Sequence, residues 1–234
     1  MPVFPKPYLK KFFVMGKFTV WLVDGSYVRR NMDEEFTNFG QHYRFSCIPM
    51  WEFWIDKEFS PGEEWYFIDH LLLEHTMMRE GMSYADAITA GGRLEQKERA
   101  KSKLMQTISK EKREHSPHLY THIHKKKWNL YKAPGLTIWI VNGEAVRDLF
   151  FIDFTCGGHN EVYHFVPKNE IWIDDDMQPK ERKFVLLHEL HERARMKKGW
   201  VYPKAHFEAS KIELYCRHFP KKIGEKIREE LLRQ

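Results

Sequence analysis

The chain has 234 residues, 42% of them hydrophobic and 15% aromatic, enough apolar side chain for one large or two small cores and too much for a disordered chain. Its formal charge is +5 with an isoelectric point near 8.9, a mild excess that permits contact with nucleic acid or anionic surfaces without requiring it. Cys47, Cys156 and Cys216 are widely spaced and form no CxxC pair, which argues against a disulfide framework and for a reducing compartment. The apolar run at residues 12–15 is too short for a signal sequence, and no stretch approaches the length of a membrane span. The expectation is a soluble cytoplasmic protein with no membrane partner.

Slid against itself by 118 residues, the chain matches without a gap. Residues 19–25 (TVWLVDG) lie over residues 137–143 (TIWIVNG), Val28-Arg29 over Val146-Arg147, Gly40 over Gly158, and Trp54-Ile55-Asp56 over Trp172-Ile173-Asp174. The register continues through Pro61 on Pro179, His70 on His188, Glu74 on Glu192, Tyr84 on Tyr202 and Glu95 on Glu213. Such a match means two copies of one unit. Two copies are too few for a solenoid, so two similar domains that pair within the chain are expected. The divisions are an N-terminal repeat over 1–95, a connector over 96–132 and a C-terminal repeat over 133–234.

Each copy opens with a strand, 19–23 or 137–141, that ends in Asp24-Gly25 or Asn142-Gly143, a strong hairpin signal. A second strand is expected near Tyr27 or Ala145, with extended segments at 43–49 and 161–167 and a strand ending in Trp-Ile-Asp at 54–56 and 172–174. Two helices complete the unit, 61–80 and 84–99 in the first copy, 179–198 and 203–218 in the second. The fold class is therefore α+β, with two tandem units, each a small, mostly antiparallel sheet followed by two helices.

The connector has a different character. Residues 93–132 carry twelve Lys and Arg against four Glu, so the cationic excess is concentrated here. It reads as a solvated helical linker or, through Lys125, Lys126 and Lys127 beside Trp128, as an electrostatic footprint for nucleic acid or an acidic protein. His115, His118, His122 and His124 cluster in the same stretch, as solvated histidines or as a metal site without acidic partners.

The densest chemistry lies in residues 184–199, FVLLHELHERARMKKG. On a helix, His188 and Glu192 share a face one turn apart, where an imidazole nitrogen and a carboxylate oxygen converge on one point, with Glu189 beside them. The preceding residues 170–174 read as a strand, and Pro179 suits a first helical turn. This segment resembles the zincin metallopeptidases, in which a strand, a Pro-x-Glu-Arg turn and an apolar run lead into His-Glu. The residues that carry the likeness are 170–174, Pro179, Glu181, Arg182 and Val185 through Leu190. It departs at Glu192, where HExxH zincins have their second His.

The resemblance implies a zinc or other first-row divalent metal held by His188, Glu192 and His206, the last from the following helix as zincins take their third ligand from a later segment. It implies Glu189 as the acid that accepts a proton from water. Glu213 shares a helix face with His206 and is either a fourth ligand or an acceptor that orients an imidazole. His159 is either at the cleft, touching metal or substrate, or an exposed turn residue. Tyr202 is either an oxyanion donor or a packing residue. His191 offers an alternative partner for His188. In the first copy the matching positions are His70, Leu71, Glu74 and Ile88, so the base and the third ligand are lost there.

Three functions follow as expectations: a metal-dependent peptidase or amide hydrolase acting on a peptide or protein through the C-terminal repeat, a non-catalytic binding or scaffold protein on a zincin-like fold, and a nucleic-acid-associated protein using the basic connector.

Overall fold

A computed structural model describes residues 5–58, 61–108 and 117–234 of the protein. The chain divides into two compact units, Met1–Lys112 with Arg147–Asp153, and Arg113–Val146 with Phe154–Gln234. In chain order the first part runs β1 (Tyr8–Met15), β2 (Phe18–Val23), α1 (Gly25–Asn31), β3 (Phe39–Gln41), β4 (Glu52–Asp56), α2 (Glu64–Arg79), α3 (Tyr84–Arg99) and α4 (Lys103–Ile108). The second runs α5 (Pro117–Ile123), β5 (His124–Lys127), β6 (Thr137–Val141), α6 (Gly143–Leu149), β7 (Gly157–His159), β8 (Glu170–Asp174), α7 (Arg182–Met196), α8 (Tyr202–His218) and α9 (Ile223–Leu231). Among the described residues no helix is long and apolar enough to cross a membrane.

Each unit holds one four-stranded sheet, ordered β1-β2-β4-β3 and β5-β6-β8-β7. The central pair is parallel and the outer pairs are antiparallel, so the α+β class and the mostly antiparallel sheets stand. The duplication extends to the ladder register: Trp21 lies opposite Trp54 as Trp139 lies opposite Trp172, and Gly40 faces Trp54 as Gly158 faces Trp172. Parallel central strands are covered on both faces and read as apolar runs rather than alternating ones. In the first unit Phe53 and Ile55 of β4 pack on Phe67, Ile68 and Leu71 of α2, while Trp54 packs with Val28, Phe36, Phe45 and Ile48 on the other face.

Several sequence expectations give way here. The Asp-Gly and Asn-Gly pairs start helices, not hairpins: Asp24 accepts the Tyr27 amide through Oδ1 at 3.0 Å, and Asn142 accepts that of Ala145 at 3.1 Å. The glycine is needed for close approach, since a Cβ on Gly25 or Gly143 would meet the carboxylate of Asp56 or Asp174 at 1.7 or 2.0 Å. The helix that follows is the crossover that a parallel strand pair requires. The segments 43–49 and 161–167 are successive turns rather than extended chain, with Phe45 and Tyr163 amides bonding back to the Gln41 and His159 carbonyls.

The basic connector is not one helical linker. Its C-terminal lysines form β5, an edge strand paired with β6, where lysine on an exposed edge discourages strand addition. Lys125 is ion-paired with Asp175, and Lys127 lies over the Trp139 ring. His124 stacks on Trp139 at 4.1 Å and bonds Glu170 at 2.9 Å, a place in the sheet rather than in solvent. Residues 109–116, and with them His115, lie outside the described residues.

Candidate metal centre

α7 and α8 pack side by side, and a chain of buried ionic contacts fixes their register. Glu181, just before α7, bonds Arg217 at 2.7 Å; Arg217 bonds Glu213 Oε1 at 2.7 and 2.9 Å; Glu213 Oε2 lies 2.9 Å from His188 Nδ1. A carboxylate only accepts, so Nδ1 of His188 donates. In the neutral ring the lone pair is then left on Nε2, which faces Glu192 and His206.

Three candidate donor atoms converge there. His188 Nε2 is 3.1 Å from His206 Nδ1, His206 Nδ1 is 2.9 Å from Glu192 Oε2, and His188 Nε2 is 3.7 Å from Glu192 Oε2. Ligand bonds of about 2.0–2.1 Å at a tetrahedral angle separate neighbouring ligand atoms by about 3.3 Å, and the three distances straddle that value. The donor set, two imidazoles and one carboxylate, suits zinc and also other first-row divalent ions. The residues present therefore fit the metal that the resemblance implies.

The surrounding charges separate the two carboxyls of α7. Burial raises the Glu189 pKa and the nearby Glu192 charge adds to it, bringing it to about 8. Burial acts in the same direction on Glu192, but hydrogen bonds from His159, His188 and His206 outweigh it and hold that carboxylate far below its usual range. For Glu213 burial is outweighed by Arg217 and by His188, which hold it near 2. Burial disfavours charge on His188, yet Glu192 and Glu213 raise its pKa well above that of free imidazole. Glu192 is thus held ionised against the ring nitrogens, while burial and that same charge favour the protonated form of Glu189.

Other candidates fall into distinct places. His159 is fully buried at the end of β7, not in an exposed turn, with Nε2 at 3.0 Å from Glu192 Oε1 and 4.0 Å from Glu189 Oε2. Burial lowers its pKa more than the Glu192 hydrogen bond raises it. The Tyr202 ring lies against the His206 ring at 5.3 Å. His191 turns the other way, to Glu230 on α9 at 2.9 Å, and does not join His188. A further acidic grouping, Asp174, Asp175 and Asp176, is engaged internally: Asp174 accepts the Asp176 amide and Asp175 binds Lys125.

The first unit keeps the scaffold without counterparts of Glu189 and His206. His70 Nδ1 bonds Glu95 at 2.8 Å, Glu95 bonds Arg99 at 2.8 Å, and Arg99 bonds Glu63 at 2.6 Å, the same chain as His188, Glu213, Arg217 and Glu181. Glu74 lies 3.5 Å from His70 Nε2. Where Glu189 stands in the second unit, Leu71 is part of the apolar core, and Ile88 replaces His206. Because Glu95 makes the same hydrogen bond in this unit, the contact of Glu213 is that of an acceptor orienting His188. Sequence reading passed over Arg217, although Arg99 at the matching place was a signal for it.

Comparisons of the chain with protein-family models, with curated proteins and with solved structures each returned no match.

Proposed function

We propose that the C-terminal unit is a metal-dependent hydrolase, a zincin-like peptidase or amide hydrolase, and that the N-terminal unit is a degenerate copy that keeps the fold. The observation that carries this reading is the triangle of His188 Nε2, Glu192 Oε2 and His206 Nδ1, with edges of 2.9 to 3.7 Å, beside a carboxyl with a pKa of about 8. The third ligand and this carboxyl are the two groups that the first unit replaces by Ile88 and Leu71.

A divalent ion bound by those three groups supplies Lewis acidity toward a carbonyl and acidifies water. The chain's own residues do the rest. Glu189 takes the proton of the attacking water and returns it to the leaving nitrogen, the role of a carboxylate placed beside a metal-bound water. Glu213, fixed by Arg217, holds the His188 ring so that Nε2 faces inward. The Tyr202 ring lies against that of His206.

The deciding experiment is elemental analysis of protein purified without chelator. Near one zinc or other first-row ion per chain is expected in the native protein, and Glu192→Ala and His206→Ala each lose it. A native protein free of metal counts against the hydrolase and favours a structural ion cluster, since the same side chains also satisfy one another by hydrogen bonds.

A further inference from the structure

His159 has three polar neighbours, and they assign its protons. The amide of Glu161 points at Nδ1 at 3.2 Å. An amide N–H only donates, so Nδ1 accepts and the ring proton sits on Nε2, which is 3.0 Å from Glu192 Oε1. The same Nε2 is 4.0 Å from Glu189 Oε2.

The other unit supplies an internal control. At the matching position, also the last residue of its short strand and likewise paired across to the central strand, stands Gln41. Its Oε1 accepts the Tyr43 amide at 2.7 Å, and its Nε2 donates to Glu74 Oε1 at 2.6 Å. Glutamine and histidine thus make the same two bonds: one accepted from the amide two residues ahead, one donated to the glutamate four residues after the helix histidine. Glutamine carries out this task with a group that is a poor metal ligand, in a unit that lacks the third ligand.

We propose that His159 is a positioning residue, fixed as its Nε2–H tautomer, that donates to Glu192 Oε1 and so leaves only Oε2 of that carboxylate to face His188 and His206. It is not a fourth ligand, because Nδ1 is held as an acceptor by the Glu161 amide and cannot take over the ring proton from Nε2. Glu192 is thereby a one-oxygen donor of fixed orientation. The functional consequence rests on the metal-centre reading; the tautomer does not.

Two measurements test it. Long-range nitrogen–proton NMR of the side chain, without zinc and then with one equivalent, is expected to show the Nε2–H form of His159 in both states. A Nδ1–H ring, or an Nε2 that loses its proton when zinc is added, overturns the proposal. Zinc affinity by chelator competition is expected to fall about 10- to 100-fold in His159→Leu, as for other residues that orient a ligand, and to recover to within a few-fold of native in His159→Gln, since Gln41 makes both bonds in the sister unit. Loss of zinc in His159→Gln as complete as in His206→Ala, or native affinity in His159→Leu, overturns it. If the native protein takes no zinc, the hydrolase reading fails by itself, and the tautomer measured without zinc still decides this one.

Discussion

Glu181 and Arg217 form a buried ion pair of 2.7 Å that joins the residue preceding α7 to the last turn of α8. Arg217 then reaches Glu213, and through it His188, so one guanidinium both clamps two helices and sets the ring that faces the cluster.

Replacing Arg217 by Ala leaves the buried Glu181 and the partly buried Glu213 without their cation. Breaking such a pair from one side costs about 3–5 kcal/mol, and urea unfolding of Arg217→Ala should show a loss of that order. A change under about 1 kcal/mol, the size typical of exposed pairs, would mean that the clamp contributes little.

His70 gives the first unit a defined pH dependence. Burial disfavours its charge, but Glu74 and Glu95 raise its pKa from 6.5 to about 9. A folded pKa above the unfolded one stabilises the protonated folded form. The contribution is full below about pH 6.5 and is lost as pH rises through about 9. Its size is on the order of 3 kcal/mol. Denaturation of the native protein and of His70→Gln at pH 6 and pH 9.5 isolates it, because His188, whose pKa is also raised, is common to both. Equal pH slopes for the two proteins would refute the assignment.

Glu189 should be separable from metal binding. Its carboxyl lies outside the triangle of His188, Glu192 and His206, although it forms a second grouping with His159 and Glu192; Glu189→Gln is expected to retain the metal of the native protein, and loss of metal in that variant would point to the second grouping. Hydrolysis of a peptide library should drop by about 10²–10⁴, the usual contribution of a positioned acid–base group. Undiminished turnover in that variant would remove Glu189 from the chemistry.

The glycines that open α1 and α6 should not tolerate a methyl group. A Cβ at Gly143 would lie 2.0 Å from the Asp174 carboxylate, and overpacking of this kind costs about 1–3 kcal/mol or more. Gly224, in the first turn of α9, has only the end of the Arg228 side chain near, at 3.7 Å, and its change to Ala should stabilise by up to about 1 kcal/mol. Opposite signs for Gly143→Ala and Gly224→Ala in thermal melts are expected; like signs would show that close approach does not govern the first site.

What the sequence made legible was whatever repeats or follows helical spacing. The register of 118 residues was readable because Trp21, Trp54, Trp139 and Trp172 occupy matched core positions, and α7 and α8 because His188, Glu192, His206 and Glu213 fall at multiples of a turn. Edge strands β1 and β5 were not, because their likeness runs at a spacing of 116 residues, two short of the rest: Tyr8, Lys10 and Lys11 pair with Val23, Leu22 and Trp21 as His124, Lys126 and Lys127 pair with Val141, Ile140 and Trp139. Asp24-Gly25 misled because a turn and a helix cap use the same residues, and the close approach of Asp56 that requires the glycine lies far along the chain. Arg217 was hard to place in the cluster because its contact with Glu181 spans 36 positions, and the matching Arg99 was the signal for it.

The exchange of Leu71 for Glu189 also divides labour between the halves. An aliphatic side chain buried at that place contributes about 1.5–3 kcal/mol, whereas a carboxyl forced to titrate near 8 is an ill-solvated guest. The N-terminal half buries an aliphatic side chain at this place and the C-terminal half an acid, so the C-terminal half is the one that heat should loosen first.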